Sequence, residues 1–148
     1  MSDIHIDDFF KDAALTLNRL YLSFPRPVAV FVEDICGRVT TDEFGIPGDR
    51  FLACFSTFLW LAEESYLRYT DTIRQEAIDQ AVLTGRCFNV LTMPAPDAEP
   101  GAAQDGTLPP SVRSELASNI HRVRDALKSG NSIRVRAVMT HLMALMNE

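Results

Sequence analysis

Apolar residues recur at helical spacing in the first third of the chain and predict two helices there. The first begins at Asp7 or Asp8, either of which can cap it, and ends near Ser23, because the sequence FPRP that follows is rich in proline. The second is predicted over PVAVFVEDICG, residues 27–37. Its β-branched residues also suit a strand, but the spacing i, i+3, i+4, i+7 favours a short helix. The residues at this spacing are Val28, Phe31, Val32 and Ile35.

A third predicted helix, from about Arg50 to Glu64, has two different faces. Eight residues gather on one half of the helical wheel and are expected to face the core. They are Phe51, Leu52, Cys54, Phe55, Phe58, Leu59, Leu61 and Ala62. The opposite half holds Arg50, Ala53, Ser56, Thr57, Trp60, Glu63 and Glu64. This outward half therefore contains the chain's only tryptophan.

An outward-facing Trp60 has two interpretations. Tryptophan on a free surface is unusual and is typical of a protein-binding hot spot. Alternatively, the N-terminal arm or the C-terminal helices cover it within the same molecule. Under either interpretation, protein at least partly occupies this face of the third helix.

The chain continues from the third helix as a hairpin. YLRYTDTI, residues 66–73, has strand character, RQEAIDQ, residues 74–80, is a polar tip, and AVLT, residues 81–84, returns as a second strand. A short helix, GRCFNVL, follows and can be capped by Thr84. The order is therefore helix, strand, tip, strand, helix.

A helix that runs into WLAEESYLRY, a polar tip, and a return strand ending in AVLT resembles the winged-helix branch of the helix-turn-helix families, including the multiple-antibiotic-resistance-type regulators. The resemblance covers about residues 7–92. It implies that the third helix enters the major groove of DNA and that the hairpin around Arg74 touches the DNA backbone or minor groove. The sequence departs from the family at Ser65, where a glycine is common, and in the long loop from Gly37 to Asp49.

The second half of the chain predicts a linker and a helical hairpin. Residues 93–110 contain five of the eight prolines and read as a linker. Residues 111–128 have apolar side chains three or four apart, and Gly130 suits the end of that helix. A last helix, capped by Ser132, runs to about Asn147 with an apolar stripe wider than one neighbour needs. This stripe predicts packing on the first domain or a homodimer through the hairpin.

Charge is unevenly distributed along the 148 residues. The net charge is −6; residues 1–92 hold 8 Lys and Arg against 14 Asp and Glu, whereas residues 111–148 hold 6 against 3. An acidic body weakens attraction to DNA phosphates. The N-terminus is acidic, and no apolar run approaches the roughly 18 residues that cross a bilayer. A soluble, cytoplasmic protein without membrane contact is therefore expected.

Few residues suggest catalysis or metal binding. Cys36, Cys54 and Cys87 lie far apart among apolar residues, which predicts buried free thiols. His121 and His141 lie away from the main apolar stripes, and two histidines without a carboxylate or thiolate are thin support for a metal site. Phosphate-binding glycine loops and nucleophile motifs are absent from the sequence. No enzyme activity, metal or cofactor is expected.

These patterns together predict a mostly helical α+β protein. It comprises a winged-helix-like domain with a two-stranded wing over residues 1–92, a linker over 93–110 and a helical hairpin over 111–148. The leading functional interpretation is a non-catalytic protein-interaction or assembly module, and the alternative is a dimeric DNA-binding transcriptional regulator. The predicted partner or DNA face consists of Arg50, Ser56, Thr57, Trp60, Glu64, Arg68 and Arg74.

Overall fold

The computed structural model describes residues 3–37, 44–45, 48–95 and 107–148. The chain divides into two compact units, Met1–Thr84 and Gly85–Glu148. The described residues form an α+β structure of seven helices and a small, antiparallel four-stranded sheet. Most of the predicted loop and most of the predicted linker, at residues 38–43, 46–47 and 96–106, lie outside the described part.

The first unit contains three helices and all four strands of the described sheet. In chain order they are α1 (Ile4–Ser23), β1 (Val28–Phe31), α2 (Val32–Cys36), α3 (Asp49–Glu63), β2 (Leu67–Arg68), β3 (Asp71–Ile73) and β4 (Ala77–Leu83). Helix α1 begins earlier than predicted, because the carbonyl of Asp3 accepts hydrogen bonds from the amides of Ile6 and Asp7. It ends at Ser23, before the two prolines, as predicted.

The prediction of a helix over residues 27–37 is wrong for its first half. Val28–Phe31 forms a strand that pairs with β4, with Val28 opposite Ala81 and Val30 opposite Ile78. The β-branched residues of this segment suit a strand, and pairing with a distant partner outweighs the local helical spacing. Only Val32–Cys36 is helical.

Strand β4 is the centre of the sheet. It pairs with β1 along one edge and with β2 and β3 along the other, and all pairings are antiparallel. The hairpin tip is Arg74–Glu76, shorter than predicted, because β4 already begins at Ala77. Ala77 and Ile78 are fully buried in the sheet, so the predicted polar tip included two core residues.

Helix α3 provides much of the core of the first unit. Its bounds agree with the prediction to within one residue, and α1 packs against both α3 and β4. Five residues of the predicted inward face are buried: Phe51, Cys54, Phe55, Phe58 and Leu61. The amphipathic pattern of α3 therefore identified its core-facing side correctly.

The second unit contains the other four helices. They are α4 (Gly85–Thr92), α5 (Pro110–Leu116), α6 (Asn119–Ser129) and α7 (Ser132–Met146). The apolar spacing predicts one helix over residues 111–128, but the helix is interrupted at Ala117 and Ser118. The amide of Ala95 donates to the carbonyl of Ala117 (2.7 Å), and the amide of Asn119 donates to the carbonyl of Met93 (2.9 Å). These two hydrogen bonds stabilise the interruption between α5 and α6, and the Ser118 side chain caps α6.

Helices α6 and α7 form the predicted hairpin. Gly130 closes α6 in the left-handed conformation with φ of 66°. The side chain of Asn131, and not that of Ser132 as predicted, caps α7. Helix α7 contacts both α6 and α4, which accounts for an apolar stripe wider than one neighbour needs. No helix among the described residues is long and apolar enough to span a membrane.

Candidate functional site

The outward face of α3 and the N-terminal half of α1 line an open groove of about 520 Å³. Helix α3 turns its large apolar residues inward, which leaves smaller residues and one tryptophan on the groove side. The lining residues are His5, Ile6, Asp8, Phe9 and Asp12 from α1, with Ala53, Ser56, Thr57 and Trp60 from α3. The groove therefore contains three of the seven predicted site residues.

Trp60 lies at one end of the groove, and its side chain is partly exposed to solvent. Its side chain remains 38% exposed. The ring of Phe9 meets it edge-on, with ring centroids 5.2 Å apart and an interplanar angle of 87°. Tyr66 lies on another side of the indole at 5.9 Å. These two contacts hold the indole in position while an apolar part of it stays open to a ligand or partner.

Arg50 joins α3 to α1 through two carboxylates. Its guanidinium donates two parallel hydrogen bonds to Asp12, each 2.6 Å long, and its Nε lies 3.5 Å from a carboxylate oxygen of Asp8. The Asp12 side chain is only 1% exposed. The hydrogen bond to Asp12 raises the pKa of Arg50 despite partial burial, so the guanidinium stays charged. Arg50 is thus committed to a contact between two helices of the protein.

Carboxylates also mark both ends of the groove along α3. Asp49 precedes Ala53 by four residues and Glu64 follows Trp60 by four, so helical spacing places both on the groove side. Both are exposed. Asp8 and Asp12 add two more carboxylates on α1, and both contact Arg50. The groove is therefore apolar in its middle, with carboxylates around it.

The two predicted site residues on the hairpin lie apart from this groove. Arg68 is exposed on β2, and Arg74 occupies the hairpin tip with φ of 52°. The Arg74 side chain is 84% exposed, and its guanidinium lies 4.0 Å from a carboxylate oxygen of Glu76. Neither arginine belongs to the groove lining among the described residues. The hairpin therefore presents two solvated cations on a surface of its own.

Two residues of the predicted face on α3 differ in their surroundings. Ser56 is exposed in the groove, whereas Thr57 is only 5% exposed and its hydroxyl donates to the carbonyl of Ala53 at 3.0 Å. Because its hydroxyl is bonded to the backbone, Thr57 contributes mainly its methyl group to the groove wall. The outward half of α3 is consequently more apolar than its sequence indicates.

Cover of Trp60 by the N-terminal arm was one of the two interpretations of the sequence, and Phe9 of α1 does contact the indole, but the residues of α1 that line the groove were not predicted. A signal for them does exist: Asp12 lies beside Ala13 and four residues before Thr16, both of which are fully buried. A carboxylate on a buried helix face requires a cation or several hydrogen bonds. In the structure Arg50, the only cation on the predicted outward face of α3, meets this requirement.

Two of the three cysteines, which were predicted to lie far apart, meet in the structure: Cys36 and Cys54 are joined by a side-chain hydrogen bond. All three cysteines are free thiols; Cys54 and Cys87 are buried, as predicted, whereas Cys36 is half-buried. Burial raises the pKa of Cys87 to about 12, so its thiol stays protonated at neutral pH. No group of three or more metal-ligating residues occurs among the described residues.

Comparisons of the chain with protein-family models, curated proteins and solved structures gave no match.

Proposed function

We propose that this chain is a non-catalytic protein-interaction or assembly module whose docking site is the groove between α1 and α3. One observation carries the proposal: the outward face of α3 is an apolar groove around a half-exposed tryptophan, and its one cation is held by Asp8 and Asp12. Anchoring pockets of this kind, with an aromatic residue inside a polar rim, are typical of protein interfaces.

The proposal includes a winged-helix arrangement for the first unit. Helix α3 leads into β2 and β3, the tip is Arg74–Glu76, and β4 returns before α4. This is the element order on which the resemblance to winged-helix regulators rests. The face of α3 that would meet DNA in that family is the face that lines the groove.

The geometry favours a helical partner. The groove runs along α3 from Ala53 to Trp60, seven residues or roughly 10 Å at the helical rise. That length accommodates about two turns of a second helix with anchors at i, i+3 or i+4, and i+7. Apolar anchors would contact Trp60 and Phe9, and the surrounding carboxylates favour basic residues beside them.

Co-purification from native cells would test the docking site directly. Ala53 is exposed in the groove, so Ala53→Arg should fill the groove without removing a core side chain. We expect this variant to lose a partner that the wild type retains. Asn89→Arg, at an exposed position of α4, places the same side chain outside the groove lining and should retain that partner. Equal recovery with both variants would contradict the proposed site.

A dimeric DNA-binding regulator is the second candidate, and the hairpin favours it. Arg68 and Arg74 are exposed, and in the winged-helix interpretation the hairpin around Arg74 would be the wing that touches DNA. Three carboxylates of the hairpin, Asp71, Glu76 and Asp79, oppose them. On α3, the engagement of Arg50 removes the one cation of the helix that would read base edges.

Binding of the protein to random duplex DNA should therefore be undetectable at physiological salt. At about 150 mM salt, we expect no measurable affinity for random duplex DNA in the low micromolar range, because phosphate-driven binding needs several available cations. An electrophoretic shift assay with genomic fragments measures this. A fragment that is held tightly by the wild type and released by Arg74→Ala would reverse the order of the two candidates.

A further inference from the structure

We propose that Cys36 and Cys54 form a redox modification site, at which hydrogen peroxide joins the two thiols in a reversible disulfide. Cys36 is the last residue of α2 and Cys54 lies on the buried side of α3, so the disulfide links these two helices. The inference goes beyond the docking function of the groove and does not depend on it.

The two thiols meet where α2 packs against α3. A side-chain hydrogen bond joins Cys36 to Cys54. A disulfide requires its two sulfur atoms to approach to about 2 Å, and this pair already starts from contact. Both cysteines belong to the first unit, Met1–Thr84, so the site is complete within that unit.

The two cysteines differ in their access to solvent. Cys36 is half-buried, so a molecule as small as hydrogen peroxide can reach its sulfur, whereas Cys54 is fully buried. Burial and the negative charge of Asp12 raise the pKa of Cys54, so its thiol stays protonated at neutral pH. Because the thiolate is the form that attacks an oxidant, Cys36 is the sulfur that reacts with peroxide. Cys54 is then the neighbouring thiol that completes the disulfide.

Arg50 places a positive charge beside this pair. Its guanidinium interacts electrostatically with Cys36 and with Cys54, and its hydrogen bonds to Asp12 hold it in position. A cation near a cysteine stabilises the negative charge of the attacking sulfur. At Cys54, burial and the carboxylate of Asp12 outweigh this effect. The charges around the site therefore agree with attack by Cys36.

The reaction consumes one peroxide and releases two water molecules. The Cys36 sulfur attacks one peroxide oxygen, the O–O bond breaks, and the departing hydroxide takes up the proton lost by Cys36. This step leaves a sulfenic acid on Cys36. The Cys54 sulfur then attacks the Cys36 sulfur, the S–O bond breaks, and the departing hydroxide takes up the Cys54 proton. Two thiols lose two electrons in total, and the peroxide gains them.

Mass spectrometry of the full chain after treatment with a small excess of hydrogen peroxide tests the site. The wild type should lose about 2 Da, the mass of two hydrogen atoms, and should then take up one alkyl group under denaturing conditions where the reduced protein takes up three. Trypsin cleaves after Arg38 and Arg50, so Cys36 and Cys54 lie on separate peptides that only the disulfide joins. Dithiothreitol should restore all three thiols.

Three variants assign the role of each cysteine. Cys36→Ser changes the half-buried position, and the variant should keep Cys54 and Cys87 as thiols after the same treatment. Cys54→Ala should stop at the sulfenic acid of Cys36, which dimedone captures. Cys87→Ser, on α4 of the second unit, should form the disulfide as the wild type does. A disulfide that needs Cys87, or dimedone capture at a residue other than Cys36, would contradict these roles.

Oxidation in concentrated urea shows whether the fold selects the pair. The separations from Cys36 to Cys54 and from Cys54 to Cys87 differ by less than a factor of two, and the entropy of loop closure depends only weakly on length. The unfolded chain should therefore give both disulfides, whereas the native chain gives only Cys36–Cys54. The site is wrong if the native protein keeps three thiols or gives the same mixture as the unfolded chain. The docking function fails separately, by equal partner recovery with Ala53→Arg and Asn89→Arg.

Discussion

Replacing Arg50 by methionine should lower the free energy of unfolding by about 3 kcal/mol. The change removes both hydrogen bonds to Asp12, whose carboxylate is 1% exposed and would be left buried without its cation. Loss of one partner of a buried ion pair costs roughly 3–5 kcal/mol, and the lower end applies because the Arg50 side chain is 39% exposed. Urea denaturation followed by circular dichroism measures the difference.

Two further variants establish whether the buried carboxylate causes the loss. Arg74→Met removes an arginine that is 84% exposed and should change stability by less than about 0.5 kcal/mol. Asp12→Leu combined with Arg50→Met replaces the pair by apolar side chains and should be more stable than Arg50→Met alone. If Arg50→Met is as mild as Arg74→Met, the ion pair does not hold α1 against α3.

The ion pair also has a consequence for binding. Asp8 and Asp12 belong to the α1 side of the groove, and Arg50 belongs to α3. Their contact fixes the separation of the two groove walls. A groove with fixed walls loses less conformational entropy when a partner binds, which favours affinity. The same three residues therefore stabilise the first unit and shape its proposed docking site.

Local patterns predicted the elements that are long enough for their hydrophobic period to be unambiguous. Helix α3 was placed to within one residue because its apolar positions repeat with the helical period over four turns. The prediction for strand β1 was wrong because a segment of four residues fits both the helical and the strand period. Its partner β4 lies about fifty residues further along the chain. Short apolar segments are ambiguous for this reason.

The break between α5 and α6 depends on contacts that periodicity does not contain. The apolar residues on both sides of Ser118 keep a helical spacing, so the pattern alone gives no sign of an interruption. The interruption is stabilised by hydrogen bonds to residues 90–95, including one from the Asn119 side chain to the carbonyl of Val90 at 2.9 Å. A serine followed by asparagine inside a helical stretch is the available local signal, because both residues favour caps.

The proposed docking site was predicted in part. Helical spacing placed Trp60 opposite the core face of α3, and the residue is indeed half-exposed. The contribution of α1 was left open as one of two possible covers of Trp60, because an amphipathic pattern shows which side of a helix is buried but not which helix covers it. The structure also places Arg68 and Arg74 outside the groove, so the seven predicted residues do not form one surface.

Replacing Trp60 by alanine should weaken partner binding by about 2 kcal/mol or more, the scale of a hot-spot truncation. The indole is the largest side chain in the groove, and its exposed part is the surface that a partner would cover. Its contacts with Phe9 and Tyr66 also contribute to folding, so stability should fall by roughly 1–2 kcal/mol, less than for a fully buried aromatic residue. Thermal melts and binding isotherms of the same samples separate the two effects.

Phe31→Ala is the matched control for this experiment. Phe31 is also an aromatic residue with 38% exposure, but it lies on β1 and outside the groove lining. It should lose a similar amount of stability and keep the affinity of the wild type. If both variants lose affinity equally, the loss reflects weakened folding of the first unit. If Trp60→Ala binds every partner as the wild type does, the groove between α1 and α3 is not the docking surface, since no partner could fill it without covering the indole.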